Sequence, residues 1–236
     1  MRLIVLLVSL LSTCWPVFSS ASVITTLGYD IIGAGTSGTF GFSHYYDGER
    51  VDRTSPSGRD YVDYYGGSGT LNNGNVEFTA EGIQLFNAYE DLEPSITFFF
   101  DGLYSIKSIY LNGGNYAANF LVGQLNGLWV SAGDESQWIT TSPQGLSTNS
   151  GGLADDFADL TQSNLTNIIT DKVTLFGFSG YSAKNTFTLT EVTFDGERYQ
   201  SYTKVSEPGT LLLLILSIIM INVGKINRIF RLLKNK

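Results

Sequence analysis

Short runs of β-branched and aromatic residues, each closed by glycine, asparagine or aspartate, recur through the middle of this chain and restrict it to β-structure. The runs are Val76 to Thr79, Ile96 to Phe100, Ile106 to Leu111, Leu128 to Val130, Trp138 to Thr140, Val173 to Phe178 and Thr186 to Phe194. Short strands alternating with turn residues predict an all-β fold, an antiparallel β-sandwich. Asp101-Gly102, Asn112-Gly113-Gly114, Asn126-Gly127 and Asp195-Gly196 are expected to turn hairpins, because these residues enter positive φ at little cost. In the last run Phe187 and Leu189 share one parity and Val192 and Phe194 the other, so a bulge or break is expected near Thr190. Only Leu153 to Leu160 has helical spacing, which predicts one or two helical turns across an edge of the sandwich. Val51 to Gly74, rich in Gly, Ser, Asp and Tyr, is expected to form a long loop or a weak hairpin.

Residues 22–204 are enough for one domain with a core of its own. All 22 acidic residues but only eight of the 14 basic ones lie between residues 22 and 207, a formal charge of −14. A surface of that sign repels phosphate backbones, so nucleic acid is not an expected partner; it suits solubility outside the cell and tolerates divalent cations. The single cysteine, Cys14, precedes the body, which therefore has no disulfide, thiol nucleophile or Cys-based metal site. With His44 the only histidine, His-dependent triads and His-rich zinc sites are excluded, and His44 itself is expected to be a loop residue without a role. No cofactor and no catalytic residue is expected.

The two ends specify an address. Arg2, the apolar stretch Leu3 to Leu11 and the small residues Ser19, Ser20 and Ala21 have the layout of a secretory signal peptide over residues 1–21, with cleavage expected after Ala21. At the other end, Val205-Ser206-Glu207-Pro208-Gly209-Thr210 precedes an apolar run, Leu211 to Val223, and then Lys225, Arg228, Arg231, Lys234 and Lys236. The apolar run alone spans about 20 Å as a helix, short of a ~30 Å hydrocarbon core. Beyond it, Ile226, Ile229, Phe230 and Leu233 cluster on one helical face, and the lysine and arginine stems can snorkel to the headgroups. A transmembrane helix over about residues 210–230 is therefore expected, with the cations at the cytoplasmic interface and the lipid bilayer as partner.

That ordered tail resembles the PEP-CTERM sorting signal of Gram-negative bacteria. Val205, Glu207, Pro208, Gly209 and Thr210 match the family pattern, while Ser206 stands where the pattern has its first proline. The resemblance covers residues 205–236 and implies an exosortase-like processing peptidase as partner. It further implies a single-pass inner-membrane form, N-out and C-in, that is later passed to the cell surface or extracellular matrix. From Ile96 to Gly196 the layout also resembles the β-sandwich bodies of such proteins, including jelly rolls similar to carbohydrate-binding modules.

Three motifs compete for a role in the body. Gly33-Ala-Gly35-Thr-Ser-Gly38 matches a dinucleotide-binding fingerprint, but no helical period follows it and no alternation of strands and helices surrounds it, so it is set aside. The carboxylate clusters Glu90-Asp91-Leu-Glu93, Asp134-Glu135 and Asp155-Asp156-Phe-Ala-Asp159 lack EF-hand spacing and show no facing pair, so solvated loop charge is the expectation. Tyr61, Tyr64 and Tyr65, with Tyr45 and Tyr46, lie in polar sequence where rings beside acids can stack on sugars. The composite expectation is an exported, non-enzymatic envelope or matrix protein with a structural or adhesive role in surface polysaccharide. The alternatives are a glycan-binding, lectin-like module with Tyr61, Tyr64 and Tyr65 as its candidate face, and a secreted glycosidase.

Overall fold

The computed structural model describes residues 22–35, 44–76, 84–87, 93–114, 125–146, 153–180 and 186–199. All of them fall in one compact unit, Met1–Tyr199, and none in the second, Gln200–Lys236. The expected signal peptide, the sorting motif, the terminal apolar run and its cations lie outside the described residues. So do Gly38, Glu90 and Asp91. Among the described residues no helix is long and apolar enough to cross a membrane.

Twelve strands carry the described fold: β1 Ser22–Val23, β2 Thr26–Gly35, β3 Glu49–Thr54, β4 Asp60–Gly67, β5 Gln84–Asn87, β6 Ser95–Gly114, β7 Leu125–Ala132, β8 Glu135–Leu146, β9 Leu153–Asp159, β10 Ile169–Gly180, β11 Thr186–Leu189 and β12 Glu191–Arg198. Every pairing is antiparallel. Neighbours run in the order β10-β7-β8-β9-β6-β2-β4-β3. Strands β7, β8 and β9 follow one another, and β10 returns over the 3-10 turn Asn164–Asn167 to lie beside β7. That is a Greek key, the unit from which sandwiches of this kind are assembled. Because β10 also pairs with β6, the circuit β6-β10-β7-β8-β9 closes and leaves none of these strands as a free edge. The opposite end of the path stops at β3, whose Arg50, Asp52 and Arg53 are exposed charges that discourage pairing with another chain.

The spine is β6, and it explains why the expected turns did not turn. Ile96, Phe98, Phe100, Tyr104 and Ile106 face the core at even positions, then Ile109 and Leu111 at odd ones. The switch is a bulge: Ile106 pairs with Gly196 and Ser108 with Asp195, so Lys107 has no partner on β12. Opposite it, a Cβ on Gly196 would lie 2.4 Å from the Ser105 carbonyl oxygen, so this glycine serves a close backbone approach and not a hairpin. Asp101-Gly102 and Asn112-Gly113-Gly114 likewise lie inside β6, and Asn126-Gly127 inside β7. The turn between β7 and β8 is Gly133-Asp134, with Gly133 at φ 58°.

Two further expectations are corrected and two hold. Leu153 to Leu160 is not helical; its first seven residues are β9, paired with β6 on one side and β8 on the other. The helical spacing arose because Asp156 occupies an inward position where an aliphatic residue would have shown the period of two. His44 is not an idle loop residue either, since its ring packs among Tyr29, Tyr46 and Tyr64. The chain does break at Thr190, between β11 and β12. Val51 to Gly74 contributes the β3–β4 hairpin. At the centre of the core, Phe194 meets Phe98 and Phe100 edge-on at 5.0 and 5.1 Å, and Tyr29 meets Phe98 at 5.6 Å.

Candidate functional site

Strand period divides the tyrosines that the sequence grouped. Along β4, Val62 and Tyr64 point into the core while Tyr61, Asp63 and Tyr65 take the other face. Tyr64 is 2% exposed and packs on His44 at 4.6 Å and Tyr46 at 5.1 Å, so it has no ring face to offer a ligand. Tyr61 and Tyr65 are half-buried and four residues apart, about 13 Å along a strand. Between them Asp63 is closed off: it accepts from Gly33 N at 2.9 Å, Arg53 Nε at 3.2 Å and the Tyr65 hydroxyl at 3.2 Å. Tyr61 remains beside a cleft of about 340 Å³ lined by Asp52, Arg53, Thr54 and Asp60. The three tyrosines do not form one face, and Tyr64 is withdrawn from any candidate site.

The buried network beneath them is structural. Leu71 N donates to the Tyr29 hydroxyl at 3.3 Å, and that hydroxyl shares a hydrogen bond with His44 Nε2 at 3.1 Å. Burial holds His44 down to about 3 and, with the Arg50 charge, keeps it neutral at ordinary pH. Its Nδ1 is buried and unpaired among the described residues. Burial likewise pushes the Tyr29 phenol far up, and Tyr46 up to about 12.

The outer face of β10, β7 and β8 is different. Phe176, Trp129 and Trp138 are direct cross-strand partners in that order. Trp129 is 41% exposed and Trp138 37%. Trp129 lies parallel to Phe176, with 18° between planes and 6.2 Å between centroids, and meets Trp138 edge-on at 6.1 Å. Each indole is set over a glycine. A Cβ on Gly127 would come within 2.5 Å of the Trp138 ring, and one on Gly177, at φ 56°, within 2.8 Å of Trp129. Ser131, Ser136 and Thr140 share the face at positions two residues from the indoles.

The same face continues across β9 to β6. Tyr110, 38% exposed, pairs with Phe157 and lies 4.8 Å from it. Phe157 has Asp155 two residues to one side and Asp159 two residues to the other, all on the outward parity of β9. Asp159 accepts from Thr161 N at 2.8 Å and Thr161 Oγ1 at 2.7 Å, and these bonds hold its carboxyl below the usual range. Asp155 accepts from Asn112 Nδ2 at 2.9 Å. The two carboxylates are four strand residues apart, roughly 13 Å, whereas a glycosidase pair stands ~5 to 9.5 Å apart. Asp156 points the other way, into the core, where it accepts from Leu125 N at 3.0 Å. The three aspartates therefore do not converge, and among the described residues no group of three or more His, Cys, Asp or Glu is placed to hold a metal ion. Gly33 and Gly35, from the set-aside fingerprint, lie within β2.

The two indoles were legible and overlooked. In Leu128-Trp129-Val130 and Gln137-Trp138-Ile139 an aliphatic neighbour occupies the inward parity, which forces the tryptophan out.

No model of a protein family matches this chain, and a search of curated proteins gives no match. Among solved structures, it is similar to the C-terminal domain of a chitobiase from Bacteroides fragilis at 12% identity, over 76% of this chain and 100% of that one, with a TM-score of 0.41. It is similar to the family 32 carbohydrate-binding module of NanJ from C. perfringens, solved with galactose, at 9% identity over 71% and 98%, with a TM-score of 0.34. A fucolectin from striped bass (Morone saxatilis) serum is 16% identical over 67% of this chain and 51% of its own, with a TM-score of 0.38. At that level these likenesses assign neither family nor ligand.

Proposed function

We propose that the body is a non-catalytic glycan-binding module of an exported protein, and that it binds through the outer face of β10, β7 and β8. The observation that carries this is the row Phe176, Trp129 and Trp138, with two large indoles held over glycines on the solvent side and hydroxyls beside them. A sugar ring offers an apolar face to stack and hydroxyls to bond, and this surface supplies both complements. The strongly acidic body argues against a polyanionic ligand.

The test uses fluorescence. Of three tryptophans only Trp15 lies outside the site, and it leaves with the expected signal peptide, so emission from the mature chain reports on Trp129 and Trp138 alone. Titration with soluble neutral and amino-bearing polysaccharides should shift that emission, and Trp129→Ala with Trp138→Ala, which removes both reporters and is therefore read by calorimetry, should abolish binding without unfolding the chain. No shift with any glycan sinks the reading.

The tail belongs to the same proposal. Its order of turn, apolar run and cations supports delivery as a PEP-CTERM-like substrate, held in the inner membrane N-out and C-in until an exosortase-like peptidase acts at the motif. A glycan-binding body delivered that way would serve as an adhesive element of the surface polysaccharide or biofilm matrix.

A further inference from the structure

Resting on the glycan reading above, we infer that the ligand is a polysaccharide carrying free ammonium groups, bound across two aromatic patches with Asp155 and Asp159 as its charge partners. The patches are Phe176, Trp129 and Trp138 on one side, and Phe157 with Tyr110 on the other. Trp138 and Phe157 lie on the outward faces of the neighbouring strands β8 and β9, where Ser142, four residues from Trp138, pairs with Phe157, so a single extended chain can cross both patches. A monosaccharide covers only one. The two carboxylates flank Phe157: Asp159, paired with Ser108, lies on the side toward Trp138, and Asp155, paired with Asn112 and Gln144, lies on the other side. Thr161 keeps Asp159 ionised by two hydrogen bonds to one oxygen, which fixes the carboxylate without neutralising it. Asn112 Nδ2 donates to Asp155 Oδ1 at 2.9 Å and orients that carboxylate.

Cations are sparse on these strands. Lys107, at the bulge of β6, turns its Nζ to Thr166, 3.3 Å from the carbonyl oxygen and 3.4 Å from Oγ1. Lys172 stands at the far end of β10, past Val173, which pairs with the last residue of β7. A neutral sugar chain would leave the two carboxylates without a counter-charge. An N-acetylated chain would place a methyl group against them. A chain with free amines meets each carboxylate with a charge-assisted hydrogen bond while its pyranose faces cover the rings. Charge complementarity thus selects the ligand class within a surface that stacking alone would leave open.

The experiment compares full-length protein on chitosan oligomers of fixed length, their N-acetylated counterparts and a neutral β-glucan. Aminated oligomers long enough to span both patches should bind at least about tenfold tighter than acetylated ones, and the preference should shrink with added salt. Asp155→Asn with Asp159→Asn keeps an acceptor oxygen for Asn112 and for Thr161, so the fold is retained, and it should erase the preference. Tyr110→Ala should weaken long oligomers and spare short ones. Equal affinity for aminated and acetylated oligomers, or a preference that survives the double Asn variant, overturns the inference while leaving the glycan reading intact. Aminated oligomers that still bind after Trp129→Ala and Trp138→Ala would mark a general acidic surface and overturn it as well. Failure of every oligomer to bind removes both.

Discussion

Two carboxylates enclosed in the fold, Glu191 and Asp156, have raised pKa values. Glu191, at the start of β12, is buried and accepts from Gly74 N at 3.0 Å. Burial raises it to about 7, against the pull of that hydrogen bond, and raises Asp156 to about 6. Both folded values lie above the ordinary carboxylate range near 4, so the folded state prefers the protonated forms. Their contribution to stability is complete below about pH 4 and is lost as pH rises through 6 to 7. Thermal melts should therefore fall between pH 5 and pH 8, and Glu191→Gln should flatten that fall; an unchanged slope would show that the carboxylate is not the responsible group. Tyrosines divide just as sharply. Tyr64→Ala empties a core position and should cost about 3 to 5 kcal/mol in denaturant unfolding, whereas Tyr61→Ala should change stability by about 0.5 kcal/mol or less.

At the level of the strand, the site is set by what lies under it. Trp129 and Trp138 keep their orientation because Gly177 and Gly127 leave room for the rings. Adding a methyl group at Gly127 meets both the Trp138 ring and the Ile139 carbonyl, so Gly127→Ala should cost about 1 to 3 kcal/mol and shift tryptophan emission before any ligand is added. Strand β9 makes a separate prediction. A short surface helix would exchange its amides quickly, but a strand held between β6 and β8 should protect Asp155 to Asp159 as long as the slowest core amides. Rapid exchange there would reverse the assignment, and with it the placement of both carboxylates beside Phe157. Glycines of the Asn-Gly and Asp-Gly pairs that fell inside strands meet close neighbours across the sheet, the Ser105 carbonyl at Gly196, the Arg198 guanidinium at Gly102 and the Trp138 ring at Gly127, and local sequence cannot distinguish that need from a turn.

For the whole molecule, the proposed roles of body and tail separate cleanly. Cells expressing the full chain should hold it in the membrane fraction, and truncation after Lys204 should release the body while leaving its glycan binding unchanged. Retention of the truncated body at the membrane would place the anchor elsewhere. The closed circuit of β6, β10, β7, β8 and β9 gives the proposed binding face a rigid base, since among the described residues no strand in it is a free edge. A module built this way positions rings on strands and not on loops, which limits how far they move when a ligand arrives.

Composition and short-range pattern were enough to establish an all-β antiparallel body, the break at Thr190 and its strongly acidic charge. These depend on residue type and on a period of two, both of which are local. The tertiary structure alone decided that β6 runs unbroken through Asp101-Gly102, that Leu153 to Asp159 is a strand, and that Tyr64 is core while Tyr61 and Tyr65 take the other face. Each of those depends on which strand lies alongside. Register across a sheet is a property of pairs of segments distant in the chain, and it determines which of two opposite faces every side chain takes.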